Sequence, residues 1–253
     1  MIHFINITKE EFLERKLLYR FMPLEYALDT LNQGHLWFAN PTIWKDPFEK
    51  RFLEAQYHLQ ALNKDIEFPW LGRVFCSCFT QVSTSEAYWN RISDGIGIEF
   101  KFIRDCLLAI LESYDQDNQC DIYIGKIEYL PTKDIQSSKF LQNYTQGLQS
   151  EEDRAKLLFV KRLAYKYEEE IRIIIVRKEK TTSQGCYVTY DVSTSTNLID
   201  TITLDPRIGK NVETMLKSLF CSQYHFASPI GKPSRVQKSM LYTHKKRPIL
   251  VII

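Results

Sequence analysis

The chain has 253 residues, 44% of them hydrophobic and 25% charged, with a net charge of +2. That composition excludes disorder over most of its length and allows a substantial core. No apolar run approaches the ~20 residues that span a bilayer. The opening stretch mixes apolar and charged residues where a signal peptide has an apolar centre. A cytoplasmic protein with no membrane partner is therefore the expectation.

In chain order, Leu17 to Phe21 reads as a short strand closed by Pro23, and Leu24 to Asn32 as a helix stopped by Gly34. His35 to Ala39 resumes as a strand and breaks at Asn40-Pro41. In the loop that follows, Asp46 is placed to cap the next turn and Glu49 to begin a helix. Val74 to Thr80 is a strand, Ser85 to Arg91 a short helix, and Gly95 to Phe100 a strand. Ile103 to Ser113 reads as a helix and Ile122 to Leu130 as one strand, ahead of a polar stretch from Lys133 to Gly147 with little pattern. Ser150-x-x-Asp153 opens a helix expected to run to about Ala164. The later elements are strands at Cys186 to Val192 and Leu198 to Leu204, a helix at Asn211 to Phe220, and a last strand at Ile249 to Ile253. Strands and helices do not alternate as regular βαβ units, so a single α+β domain over residues 1–253 is favoured over a doubly wound sheet.

Six scattered cysteines show no disulfide framework. Cys76-x-Cys78 lacks a second pair or a His-x-x-x-His, and the five histidines show no ligand spacing, so no metal site is expected. Gly95-x-Gly97 lacks the third glycine of a phosphate loop. Charge is uneven. From Arg207 onward nine Lys/Arg face one acid, Glu213, so that this basic C-terminal segment carries +8 and the rest −6. Lys245, Lys246 and Arg247 are its densest part and the candidate contacts for an acceptor's phosphates. The alternative is a solubilising face or an intramolecular partner for the acidic body. Trp37, Phe38, Trp44 and Phe48 could stack bases or belong to the core.

The densest chemistry lies in Tyr165-Lys166-Tyr167-Glu168-Glu169-Glu170-Ile171-Arg172. Read as the start of a strand, it puts Glu168, Glu170 and Arg172 on one face, with the two carboxylates roughly 6–7 Å apart. Such a pair suits a reacting centre that becomes positive, as in glycosidic-bond cleavage. The bland alternative is a solvated face, or a structural Arg172–Glu170 ion pair that lowers the carboxylate pKa without catalysis.

Taken together, Leu18-Tyr19-Arg20, Leu36-Trp37-Phe38-x-x-Pro41, Asp46-Pro47-Phe48-Glu49, Cys78-Phe79, Trp89, Gly95-Ile96-Gly97-Ile98-Glu99-Phe100, Tyr-x-Tyr-Glu-x-Glu-x-Arg and Ile202-x-Leu204-Asp205-Pro206-Arg207 resemble the prokaryotic domain-of-unknown-function 2971 family, with Tyr165 where that family usually has Trp. The order Arg20, then Cys76-Ser77-Cys78-Phe79-Thr80, then Glu168-x-Glu170 is more distantly similar to ADP-ribosyltransferases. That likeness implies two small packed sheets with flanking helices, and NAD as substrate. It gives Arg20 to the NAD diphosphate and Ser77 or Thr80 to orienting the catalytic carboxylate. Tyr19 joins the NAD-binding set, and Phe79 or a nearby aromatic flanks the nicotinamide. Glu170 would grip the ribose and stabilise the cation, and Glu168 would position or deprotonate the acceptor. It also implies a macromolecular acceptor, with nucleic acid favoured over protein by the basic segment. A toxin or phage-defence role with an antitoxin or chaperone partner would fit it. The alternatives are a non-catalytic nucleotide- or RNA-binding module, and a metal nuclease through Asp46, Glu49, Glu168 and Glu170.

Overall fold

The computed structural model describes residues 1–54, 56–59, 63–92, 96–118, 120–137, 140 and 150–242. The elements run β1 (Ile2–Ile5), α1 (Lys9–Glu14), β2 (Leu17–Pro23), α2 (Leu24–Gln33), β3 (His35–Ala39), α3 (Pro47–Glu54), β4 (Gln56–Leu59), β5 (Lys64–Glu67), β6 (Val74–Thr80), α4 (Glu86–Asn90) and β7 (Gly97–Ile103). They continue as α5 (Arg104–Asn118), β8 (Asp121–Lys126), β9 (Glu128–Leu130), α6 (Thr132–Ile135), α7 (Glu151–Leu157), β10 (Val160–Arg162), β11 (Glu170–Val176), β12 (Gly185–Thr189), α8 (Ser195–Leu198), β13 (Ile199–Leu204), α9 (Lys210–Ser222) and β14 (Val236–Lys238). Short 3-10 turns occupy Pro41–Ile43, Leu163–Glu168 and Val192–Thr194.

The fold is mixed, as expected for an α+β chain, but its strands do not divide into two small packed sheets. One ten-stranded sheet runs β1-β8-β11-β6-β2-β7-β13-β14, with β3 attached to β6 and β12 to β3, beside two separate two-stranded ladders. Strand β6 is the branch point. Along one side it pairs with β11 over its whole length. Along the other it meets β2 only at Tyr19–Thr80 and β3 only at Ala39–Cys76. Between those two contacts the edge from Ser77 to Phe79 has no ladder partner on that side among the described residues, and the sheet opens there into a split.

Both faces of the central strands are covered. Alternate residues of β11 enter two cores: Ile171, Ile173 and Ile175 pack with Phe12, Phe79, Phe102 and Leu107, while Ile174 and Val176 pack with Phe52, Trp70, Tyr123 and Phe159. Burial on both sides explains why this strand reads as a continuous apolar run. Among the described residues no helix is long and apolar enough to cross a membrane.

Three expected boundaries shift, each for a packing reason. The helix capped by Ser150, whose hydroxyl accepts from Asp153 N, ends at Leu157. Val160–Arg162 then leaves the helix to pair in parallel with β9. The single strand expected at Ile122 to Leu130 breaks at Ile127, which buries its side chain and donates its N–H to Glu170 O. Glu168 is not on a strand at all. It closes a 3-10 turn, Glu169 follows with φ +40°, and β11 starts at Glu170. The expected final strand, and Lys245, Lys246 and Arg247, lie outside the described residues, as does most of the polar stretch before Ser150.

Four cations of the described part of the basic C-terminal segment have intramolecular partners. Arg207 pairs with Asp205 and donates to the carbonyls of Trp89 and Ile92. Arg235 donates to three carbonyls, of Thr196, Ile199 and Asp200. Lys238 donates to Ile208 O, and Lys217 pairs with Glu213. Of these four, Arg207 and Arg235 bond to the body of the chain, through its carbonyls, whereas Lys217 and Lys238 bond within the segment itself.

Gly34 ends α2 in the left-handed region at φ +60°, and a Cβ there would lie 2.5 Å from Tyr190 O. Gly34→Ala combines that conformational cost with a backbone clash and is expected to lower stability by about 1–3 kcal/mol in urea denaturation; an unchanged midpoint would contradict the cap.

Candidate functional site

The split in the sheet opens into a cleft of about 510 Å³. Its walls include Tyr19 and Arg20 from β2, the Cys76–Thr80 edge of β6, Glu49 of α3, Tyr88 and Arg91 at α4, Lys161 of β10, and Glu168 and Glu170. Every candidate within the described residues (Tyr19, Arg20, Ser77, Phe79, Thr80, Glu168 and Glu170) therefore meets at one place. Register explains part of this. Glu170 stands opposite Thr80, and Thr80 opposite Tyr19, so the three form one row across β11, β6 and β2.

At the floor lies a buried charge cluster. Lys161 Nζ is 2.7 Å from Glu168 Oε2, 3.0 Å from Glu170 Oε2 and 3.2 Å from Glu49 Oε1. Arg172 donates to Glu170 Oε1 at 2.8 Å, to Glu49 Oε2 at 2.6 Å and to Leu158 O at 2.6 Å, with the Trp44 ring 4.6 Å from its guanidinium carbon. Arg91 reaches Glu168 Oε1 at 2.8 Å. Three carboxylates thus face three cations, and the Arg172–Glu170 ion pair anticipated from the sequence is present.

The two central carboxylates are pushed in opposite directions. Burial alone would raise Glu170, but Arg172 and then Lys161 outweigh it and hold this group well below the usual carboxylate range. For Glu168 burial prevails over Lys161 and Arg91, and its pKa is raised. One carboxylate is fixed as an anion while its neighbour binds a proton more readily, a division seen where two acids take different roles.

Several assigned roles change. Thr80 does not orient a carboxylate: its hydroxyl donates to the backbone carbonyl of Glu168 at 2.5 Å, as does Tyr88 OH at 3.0 Å. Ser77 Oγ is buried without a hydrogen-bond partner, which leaves it the free hydroxyl of the pair. Phe79 is a core residue, edge-on to Phe102, with the Arg20 guanidinium 5.5 Å from its ring centre. Arg20 is half-buried and donates to Trp37 O at 3.3 Å, and no acidic side chain pairs with it among the described residues. Burial lowers its pKa, yet a guanidinium stays charged. Cys78 is exposed on the cleft wall, and its protein surroundings followed by Glu170 push the thiol pKa up.

Of the aromatics weighed as a platform, Phe38 is core, Trp44 covers Arg172, and Phe48 lies under Arg162. Asp46 caps α3 by accepting from Phe48 N, as expected. Sequence reasoning missed Lys161, Arg91 and Tyr88 as site residues, since nothing local distinguishes them from surface positions. No family model, curated protein or solved structure matches this chain.

Beside the cleft, Glu99 of β7 stands between Phe21 and Thr203 on neighbouring strands, and neither of its buried carboxylate oxygens has a hydrogen-bond partner. Burial, opposed only by Thr203 and by Lys101 at 4.0 Å, pushes its pKa to about 7 from 4.5. A raised folded-state pKa gives stability that is complete below the unfolded value and is lost as pH rises through about 7. The wild type is expected to lose about 3 kcal/mol from this group between mildly acidic and mildly alkaline pH. In Glu99→Gln most of that slope should disappear, and urea denaturation across the pH series reads it; an equal slope in both proteins would show Glu99 ionising normally.

Proposed function

We propose that this cleft binds NAD and transfers its ADP-ribose to a macromolecule. The observation that carries the reading is topological: the strands bearing Arg20, Ser77–Thr80 and Glu170 are consecutive neighbours in one sheet, and those side chains line one cleft. What this reading takes from the ADP-ribosyltransferase likeness is the order of the site-bearing strands, within one branched sheet in place of two packed ones. Arg20, with no acid beside it, offers a planar fork to a diphosphate. Ser77 Oγ offers an unused hydroxyl. Glu170, held as an anion, faces the positive charge that develops on the ribose as the bond to nicotinamide breaks. Glu168 takes the proton from the acceptor group as that group bonds to the ribose carbon. Nicotinamide leaves neutral, its bonding electrons having neutralised the pyridinium.

A second reading is a nucleotide-binding module without turnover. It is favoured by the engagement of both Glu170 oxygens, one by Arg172 and one by Lys161. The metal-nuclease alternative fits less well, because the ammonium of Lys161 already stands between Glu49, Glu168 and Glu170.

The test is NAD labelled on its adenylate phosphate, incubated with the protein and either total RNA or lysate protein. Glu168→Gln is expected to reduce nicotinamide release by roughly 10²-fold. Arg20→Lys, which lies outside the charge cluster, should weaken NAD binding about tenfold. Glu170→Gln strands two buried cations and is expected to cost about 3–5 kcal/mol of stability, so it is the less clean probe of turnover. NAD bound without nicotinamide release would establish the second reading, and no NAD binding would sink both.

A further inference from the structure

A second concave site lies away from the charge cluster, where α5 faces the outer strand β12. This groove, about 700 Å³, is lined by Ala109, Ser113 and Tyr114 of α5, together with Arg177, Tyr187 and Tyr190. Arg177 follows the end of β11, and among the described residues no carboxylate pairs with its guanidinium. Asp191, which also lines the groove, accepts from Ser193 N and so has a local partner.

Tyr187 belongs both to this groove and to an aromatic ladder on the surface. Its ring centre is 4.1 Å from that of His35 and 4.8 Å from that of Trp37. Tyr187 is 48% exposed. Trp37 can lie close to the sheet because Gly185, its diagonal neighbour paired with Ala39, has no side chain: a Cβ there would sit 2.1 Å from two carbons of the indole. The ladder leads to the proposed active cleft. Trp37 O accepts from Arg20, and Ala39, on the same face of β3 and roughly 6–7 Å further along, lines the cleft wall beside the exposed Lys45. His35 is paired with Asp29 at 2.8 Å, so that acid is also accounted for.

The exposed Tyr187 ring and the half-buried Trp37 ring stand in series, and among the described residues cations without a carboxylate partner stand at both ends, Arg177 in the groove and Lys45 at the cleft. We infer that this ladder and groove form a docking surface for single-stranded nucleic acid, with bases stacked on Tyr187 and Trp37 and a phosphate held by Arg177. Stacking of this kind tolerates sequence because every base has a π-face. The inference rests on the transferase reading only in naming the acceptor. It moves the acceptor surface from the basic C-terminal segment to β3 and β12.

The test is fluorescence anisotropy of a labelled short single-stranded RNA, and of its duplex, without NAD. The wild type should bind the single strand more tightly than the duplex. Tyr187→Ala should weaken binding on the order of tenfold, Tyr187→Leu should do the same while keeping apolar bulk, and Tyr187→Phe should bind as wild type. Arg177→Ser should reduce the slope of log affinity against log salt by about 0.7. Duplex bound as tightly as single strand, or affinity unaltered in both Tyr187→Ala and Tyr187→Leu, would overturn the inference. A protein that releases nicotinamide from NAD but ignores the RNA would overturn it too, while leaving the transferase reading intact. RNA binding without NAD binding would do the reverse.

Discussion

The rest of the site depends on the buried contact of Lys161 and Arg172 with Glu49, Glu168 and Glu170. An ionised carboxylate inside a protein must be paired and hydrogen-bonded, and removing one member of such a cluster leaves an uncompensated charge. These five residues come from α3, β10, the 3-10 turn before β11, and β11 itself. Their mutual neutralisation therefore ties α3 to the consecutive run of β10, the turn and β11, more than a hundred residues further along the chain, a positional constraint that apolar packing alone would specify less sharply. The same contacts set the opposed proton affinities of Glu168 and Glu170, so structural and chemical roles share one set of atoms.

The second determinant is the branching of β6. A strand paired along both edges offers a ligand nothing but side chains. Here β2 and β3 each touch β6 at a single residue pair, and the interval between them becomes a recess with Arg20 on one side and the charge cluster on the other. Left-handed Glu169 completes the arrangement: it turns the chain so that Glu168 and Glu170 approach one ammonium from different elements.

Much of this was legible in the sequence because it is written locally. The Gly34 stop, the Asp46 and Ser150 caps, and the apolar run of β11 follow from turn chemistry and burial. The candidate residues Arg20, Ser77, Thr80, Glu168 and Glu170 were recognisable by type and order, and they converge. What was not legible depends on long-range placement. Lys161 is one of three basic or apolar residues in a three-residue strand, and only the parallel pairing with β9 carries it under Glu168. The sequence left open which of Ser77 and Thr80 would serve, and it is the β6–β11 register that takes Thr80 to the Glu168 carbonyl and leaves Ser77 unengaged. The uneven charge was real, yet Arg207 and Arg235 donate to backbone carbonyls that no sequence pattern announces.

Cys78 adds a consequence for the chemical durability of the cleft. It is the one exposed cysteine of six and sits within the influence of Glu170. Sulfur is oxidised and alkylated as thiolate, and this environment holds it as the neutral thiol. Desolvation by the surrounding protein, with the Glu170 carboxylate adding to it, therefore favours the neutral thiol at the one exposed cysteine of the cleft wall, the opposite of the low-pKa thiolate that a redox sensor uses.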